Sequence, residues 1–222
     1  MSETVSYRSL GAYGGTFDPI HNGHLEVARA IAKNFELDRL LIIPAHSPPH
    51  KEPASVSDPY HRYAMAALAT QHEPRIMVST IELVAPDRPY TIETVDRLKQ
   101  LYGPATRQFL IIGADSFAEI DTWREPERLL SSTNMIVAAR PGVEMVTSHL
   151  PAWARERVRD LRCGHEPPSG QDEEGYFIYL TSYVLSEISS TEIRQRARRG
   201  EPIGEMVPPP VAGYIEKYGL YR

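Results

Sequence analysis

Two stretches of this chain carry residue types whose spacing could do phosphate chemistry. The first, residues 11–25, reads GAYGGTFDPIHNGHL. It puts Gly14 and Gly15 at the end of an extended run, Thr16, Phe17, Asp18 and Pro19 in a tight turn, and His21 and His24 at the start of a helical pattern. Paired glycines at the end of a first strand let phosphate oxygens approach the backbone where a side chain would stand in the way. The helix start behind them offers unpaired N–H groups and the positive end of its dipole. His21 and His24 sit three residues apart, so both imidazoles can face one pocket. Taken alone, the pair stays open between metal ligands, phosphate donors and structural residues bonded to backbone. A zinc HExxH helix needs a four-residue interval and a glutamate, and a hydride-transferring dinucleotide enzyme needs GxGxxG; neither pattern is present.

The second stretch, residues 188–194, reads ISSTEIR. Ser190 or Thr191 is expected to cap a helix running to Arg199, leaving hydroxyls and N–H groups at its start, and Arg194 lies one turn further in. This predicts a second phosphate cradle, independent of the first; the alternative is a capped, solvated surface helix. The basic run RQRARR, residues 194–199, spreads around the helix and reads as a solvated face.

Such residues need elements to hold them. Short apolar runs at 40–44 (LLIIP), 109–113 (FLIIG), 135–139 (MIVAA) and 177–181 (FIYLT) read as buried strands, with weaker candidates at 9–13 and 76–80. Helical patterns fall at 24–35, 60–71, 91–102, 126–130, 153–161, 190–199 and 211–218. A β-α unit repeated about five times predicts a doubly wound α/β fold with a parallel sheet. Residues 45–58 are proline-rich and 163–175 polar and acidic, so both are expected to be loops. The expected organisation is a single domain over 1–222, with a core at 8–182 and a helical segment at 183–222 packed on it, too small to stand alone.

Composition narrows the class. The chain has 222 residues, 24 Lys+Arg against 29 Asp+Glu and a net charge of -5, with 41% hydrophobic and 24% charged residues. That is enough apolar material for a core, and the net acidity argues against nonspecific nucleic-acid binding. Cys163 is the only cysteine, which excludes a disulfide framework and four-cysteine zinc modules. No apolar run approaches the ~18 residues of a membrane span, and MSETVSYRSL lacks a signal-peptide layout, so a cytoplasmic protein without membrane attachment is expected.

The stretch GGTFDPIHNGH resembles the signature of the HxGH nucleotidyltransferases, which join a nucleoside triphosphate to a phosphorylated acceptor and release pyrophosphate. ISSTEIR resembles the motif this family carries at the other end of its sheet. IPAHSPPHK (43–51), RPYTIETV (88–95), IIGADSF (111–117), TW (122–123), AARPG (138–142) and EMVPPPVAGYIEKYGLY (205–221) follow in the right order. Together they resemble bacterial nicotinate-nucleotide adenylyltransferase over nearly the whole chain. The resemblance implies a Rossmann-like fold and transfer of AMP from ATP to nicotinic acid mononucleotide, giving deamido-NAD and pyrophosphate. It implies catalytic roles for His21, His24, Arg194 and Lys51, and ATP contacts at Gly14, Gly15, Thr16, Phe17, His21, His24, Gly113, Asp115, Ser190, Thr191 and Arg194. Acceptor contacts are implied at Thr91, Asp115, Trp123 and Arg140.

The residues make chemical sense of this. Trp123 offers a flat face for a nicotinate ring, and Thr91 with nearby N–H groups could bind its carboxylate. Read without the family, Trp123 is a buried core residue, Asp115 either accepts from a ribose hydroxyl or caps the next helix, and Lys51 is either a phosphate ligand or an exposed lysine. Mg²⁺ is expected to be held mainly by ATP phosphates, with no metal site built from protein side chains. Nicotinamide mononucleotide or phosphopantetheine as acceptor, and a non-catalytic nucleotide sensor, are the competing readings, and a homo-oligomer is left open. The chain departs from the family expectation in TSYVLSE (181–187), where a proline is expected, and in the length of 163–175.

Overall fold

The structure, a computed structural model, describes residues 6–46, 56–85, 89–139, 145–162, 167, 175–183 and 188–222. Among these, seven strands form one sheet in the order β3-β2-β1-β4-β5-β7-β6, and every pairing is parallel. The strands are β1 (Ser9–Gly15), β2 (Arg39–Pro44), β3 (Ile76–Val78), β4 (Arg107–Gly113), β5 (Asn134–Ala138), β6 (Val158–Asp160) and β7 (Ile178–Thr181). The helices are α1 (Asn22–Asn34), α2 (Pro59–Thr70), α3 (Thr91–Tyr102), α4 (Ala114–Ala118), α5 (Pro126–Leu130), α6 (Ala152–Arg155), α7 (Ser190–Arg198) and α8 (Pro209–Tyr218).

The continuous apolar runs are explained by burial on both faces, as parallel sheets require. Tyr13, Leu40, Ile42, Phe109, Ile111, Ile136 and Tyr179 face one core, shared with α1, α2, α7 and α8. Their neighbours Leu110, Ile112, Met135, Val137, Ile178 and Leu180 face the other, shared with α3, α4, α5 and α6. Leu10, Ala12, Leu41 and Ile43 extend that second face toward Leu98 of α3. The period-two alternation of strand side chains assigns each residue its side.

The doubly wound sheet agrees with the fold read from the sequence, with differences at particular elements. The helix expected at 153–161 is α6 followed by β6. Trp153, Ala154, Val158 and Leu161 imitate a helical spacing, but residues 158–160 pair with β7 along the sheet edge, so tertiary pairing overrides local pattern. The helix α4 was expected only as a helix for Asp115 to cap, with no bounds, because five residues are too few to show a period. β1 ends at Gly15, where the extended run was expected to end in the glycine pair, and α1 begins at Asn22.

The C-terminal segment packs on the first core through Val207, Val211 and Ile215. His61 Nδ1 of α2 and Tyr214 Oη of α8 are 2.9 Å apart. The start of α1 is tied to the same segment, with Asn22 N–H donating to Met206 O at 2.9 Å and Asn22 Nδ2 to Glu205 O at 3.0 Å. No helix among the described residues is long and apolar enough to cross a membrane.

Candidate active site

Strand order reverses between β1 and β4, so their carboxyl ends, Gly15 and Gly113, open the crevice where α/β sheets bind ligands. A Cβ built on Gly14 or Gly113 would meet nothing within 4 Å, and neither backbone is left-handed. The protein's own packing therefore does not demand glycine at either position, whereas a ligand lying on the strand ends would. Gly15 differs, because a Cβ there would come within 2.9 Å of the Phe17 ring. Phe17 itself has φ 50, a conformation a phenylalanine keeps only when its surroundings hold it. Its ring is edge-on to Tyr13 at 5.4 Å and to His24 at 5.0 Å. The turn continues through a cis Asp18–Pro19 bond into His21, the N-cap of α1.

His21 and His24 form the two arms of a capping box, where Ser or Thr and Glu would be usual. The His21 N–H donates to His24 Nδ1 at 3.3 Å, so neutral His24 carries its proton on Nε2, and that N–H is the ring's donor. The two rings stack with centroids 3.7 Å apart. His21 is buried and His24 half-buried.

The second motif meets this turn instead of forming a separate cradle. Ser190 Oγ donates to Pro19 O at 3.0 Å, and Arg194 Nη1 donates to Asp18 O at 2.8 Å across 176 residues of chain. Arg194 Nη2 donates to Thr191 Oγ1 at 3.2 Å. Read from spacing alone the two cradles are independent; the resemblance puts both on one ATP, and the Ser190 and Arg194 bonds bring the two segments together. The expected cap is corrected: Ser189, extended at φ -123, accepts the Glu192 N–H, and Ser190 is the first residue inside the helix. Ser190 is thereby freed from capping and spent on joining the motifs.

On the other side of the crevice, Asp115 is exposed in the first turn of α4, whose N-cap position is Gly113. Asp115 therefore does not cap that helix. Thr91 opens α3 and is half-buried. Trp123 is half-buried, packing on the second core but not enclosed by it, which removes the fully buried reading. Lys51 and Arg140 lie outside the described residues, as do 184–187 and most of 163–175. No group of three or more His, Cys, Asp or Glu among the described residues could hold a metal ion.

Arg62, Tyr221 and Glu82 were not singled out in the sequence, and Asp18 was read only as part of the turn. Arg62, 1% exposed, donates to Thr16 O, His46 O and Ser57 O at 2.8, 3.1 and 3.0 Å. Asp18 is buried and accepts the Ser57 N–H at 3.1 Å and the Tyr221 hydroxyl at 2.7 Å. Burial, and then the Asp18 charge, push the Tyr221 phenol far above its ordinary range, so it remains a donor. Glu82 accepts from Thr94 Oγ1 at 2.9 Å and from the His46 N–H, yet burial still pushes its carboxyl up. The available signal was Arg62, a charge on the apolar face of α2 that also carries Met65, Ala66 and Ala69.

A parallel sheet with a histidine at the N-cap of its first helix, Arg194 bonded to the adjoining turn and bare glycines at its switch point is the framework of an α/β nucleotide-binding protein. The cytidylyltransferase-like family model matches residues 12–196. A protein of Thermoanaerobacter sp. (strain X514) described as "Probable nicotinate-nucleotide adenylyltransferase" is 41% identical over 215 residues, 96% of this chain and 94% of that one. One of the same description from Desulfitobacterium hafniense (strain Y51) is 36% identical across the full length of both chains. The solved structure of Plasmodium falciparum nicotinic acid mononucleotide adenylyltransferase complexed with NaAD superposes with TM-score 0.73 at 21% identity, covering 96% of this chain and 97% of that one, a likeness of fold. The chain belongs to the cytidylyltransferase-like family and, within it, to the nicotinate-nucleotide adenylyltransferases.

Proposed function

We propose that the protein transfers the AMP group of ATP to nicotinic acid mononucleotide, giving deamido-NAD and pyrophosphate in NAD biosynthesis. The observation that carries this reading is the joining of both phosphate motifs on one turn at the switch point, through Ser190 to Pro19 and Arg194 to Asp18. The choice of acceptor is supported by the full-length similarity to proteins described as nicotinate-nucleotide adenylyltransferases.

In this reading an acceptor phosphate oxygen attacks the α-phosphorus of ATP. The bond to the bridging oxygen of the β-phosphate breaks, and its electrons leave with pyrophosphate. The nucleophile is already an anion at neutral pH, so the protein supplies position and charge instead of a base. Gly14, Gly15, Thr16 and Phe17 lay the triphosphate along the turn, with Gly113 leaving room at the neighbouring strand end. His24 donates through Nε2, beside the stacked His21, and Ser190, Thr191 and Arg194 meet the β- and γ-phosphates. Asp115 accepts from a ribose hydroxyl, Trp123 stacks on the nicotinate ring, and Thr91 binds its carboxylate. Lys51 and Arg140 take phosphate and acceptor contacts by resemblance alone.

The His, Ser, Thr and Arg side chains here are donors to phosphate, so a magnesium ion would be carried on the substrate, since Mg²⁺ prefers oxygen ligands and keeps several waters. It would supply positive charge to the leaving pyrophosphate. The deciding experiment measures pyrophosphate release from ATP with nicotinic acid mononucleotide, nicotinamide mononucleotide and phosphopantetheine in parallel. Turnover is expected with the first at well above the rate of the others. Equal or faster turnover with another acceptor, or none with any, overturns the reading.

A further inference from the structure

The turn that meets the phosphates is held from beneath by a buried cation that is bonded only to backbone among the described contacts. Arg62 lies on the apolar face of α2, and its three hydrogen bonds go to carbonyls of three separate segments. Thr16 belongs to the turn after β1, His46 to the segment leaving β2, and Ser57 to the residues preceding α2. No carboxylate among the described residues forms an ion pair with it, although Asp18 and Asp58 are near enough for their fields to oppose the lowering of its pKa by burial. Packing alone would be served at lower cost by an apolar side chain of similar volume. What a guanidinium adds is a rigid planar fork of donors, which can fix three carbonyls relative to one another.

The same turn is held from its other side. The Asp18 carboxylate takes the Ser57 N–H and the Tyr221 hydroxyl, and the Asp18 carbonyl takes Arg194. Ser57 is therefore gripped twice, by Arg62 at its carbonyl and by Asp18 at its N–H. The backbone of residues 16–18 cannot shift without breaking bonds on both sides.

We propose that Arg62 is a positioning residue for ATP: its fork sets where the Gly14–Phe17 backbone stands, with the Tyr221–Asp18 bond as the opposing brace. The proposal rests on the reading of this turn as the ATP site. A lysine keeps the charge but cannot reach three carbonyls at once, and a displacement of about 1 Å at such a site costs on the order of 10²-fold in rate.

Arg62→Lys, Arg62→Met and Tyr221→Phe should be compared with the unaltered chain by thermal melting, steady-state pyrophosphate release, and binding of a non-hydrolysable ATP analogue. Arg62→Lys is expected to remain folded well above the assay temperature, to lose about 10–100-fold in kcat and to raise KM for ATP, with KM for the acceptor changed less than about threefold. Tyr221→Phe is expected to move the same ATP parameters in the same direction by about threefold. A lysine variant within about threefold of wild type in kcat and KM overturns the proposal, because charge alone then suffices. A methionine variant that melts earlier but turns over normally when folded also overturns it. If no Arg62 variant folds, an unchanged ATP affinity in Tyr221→Phe overturns it. The analogue's Kd separates this from failure of the functional reading: if the unaltered chain does not use nicotinic acid mononucleotide, weakened analogue binding in Arg62→Lys still supports the positioning role.

Discussion

At the carboxyl end of β1 the polar side chains are engaged within the protein itself. His24 holds the His21 N–H, Ser190 holds Pro19, Arg194 holds Asp18 and Thr191, and Asp18 is braced by Ser57 and Tyr221. On the far side of the crevice, beyond the carboxyl end of β4, Thr91, Asp115 and Trp123 have no side-chain hydrogen bond among the described residues. The two sides differ in how far their side chains are already committed. On the proposed function, the fixed side would hold the phosphates, and donors set in advance cost no reorganisation when charge develops in the transition state. The exposed or half-buried side chains would meet the acceptor and take their order from it.

The sharpest way to break this comparison is to remove a donor from the fixed side. His24→Ala should lower kcat about 10²–10³-fold in a pyrophosphate-release assay. The melting temperature should fall only by the few degrees expected for about 1 kcal/mol of lost capping. A variant with near-normal turnover would end the assignment.

On the open side, Trp123→Ala should raise KM for the acceptor about tenfold, as a lost stacking contact of about 1.4 kcal/mol does. KM for ATP should stay within about twofold of the unaltered chain. Equal effects on both substrates would show that the two sides are not separable.

Gly14 and Gly15 divide along the same line. Gly14→Ala has open space for its Cβ, so the melting temperature should hold or rise slightly while KM for ATP increases about fivefold. Gly15→Ala, which drives a Cβ into the Phe17 ring, should instead lower the melting temperature. A Gly14→Ala variant with unaltered ATP kinetics would place the phosphates elsewhere.

The smallest effect expected is at Glu82, which joins the two sides by bonding Thr94 of α3 and the His46 N–H. Its carboxyl pKa is raised by burial, so the folded state binds the proton more tightly than the unfolded state does. Ionisation therefore costs stability above that raised pKa, and the cost is absent below the unfolded value. The melting temperature of Glu82→Gln relative to the unaltered chain should become more favourable as pH rises from about 4 to 7, by a few degrees. A difference that stays flat with pH would mean that Glu82 does not titrate this way.

Much of the cradle was legible in residue order because its parts are local. Gly14, Gly15, His21 and His24 lie within 11 residues, and a strand end, a turn and a helix start are short-range events. Strands β2, β4 and β5 were legible because burial on both faces leaves continuous apolar runs. The edge strand β6 was not, since three residues paired only to β7 carry no pattern of their own. Ser189 took the cap expected of Ser190 or Thr191 because three adjacent hydroxyl residues are equivalent as capping chemistry, and only Ser190's bond to Pro19 tells them apart.

The doubly wound class, the two motifs and the family were readable in residue order, because these depend on periodicity and on short runs of residue types. The bonds that tie the second motif to the turn, the half-covered state of Trp123, and the bracing of the turn by Arg62, Asp18 and Tyr221 came only with the folded chain. The bonds of Asp18 and Ser190, and that of Arg62 to Thr16, join residues 39 to 203 positions apart. A hydrogen bond over such a distance leaves no trace in local pattern and exists only once the sheet has brought its strand ends together.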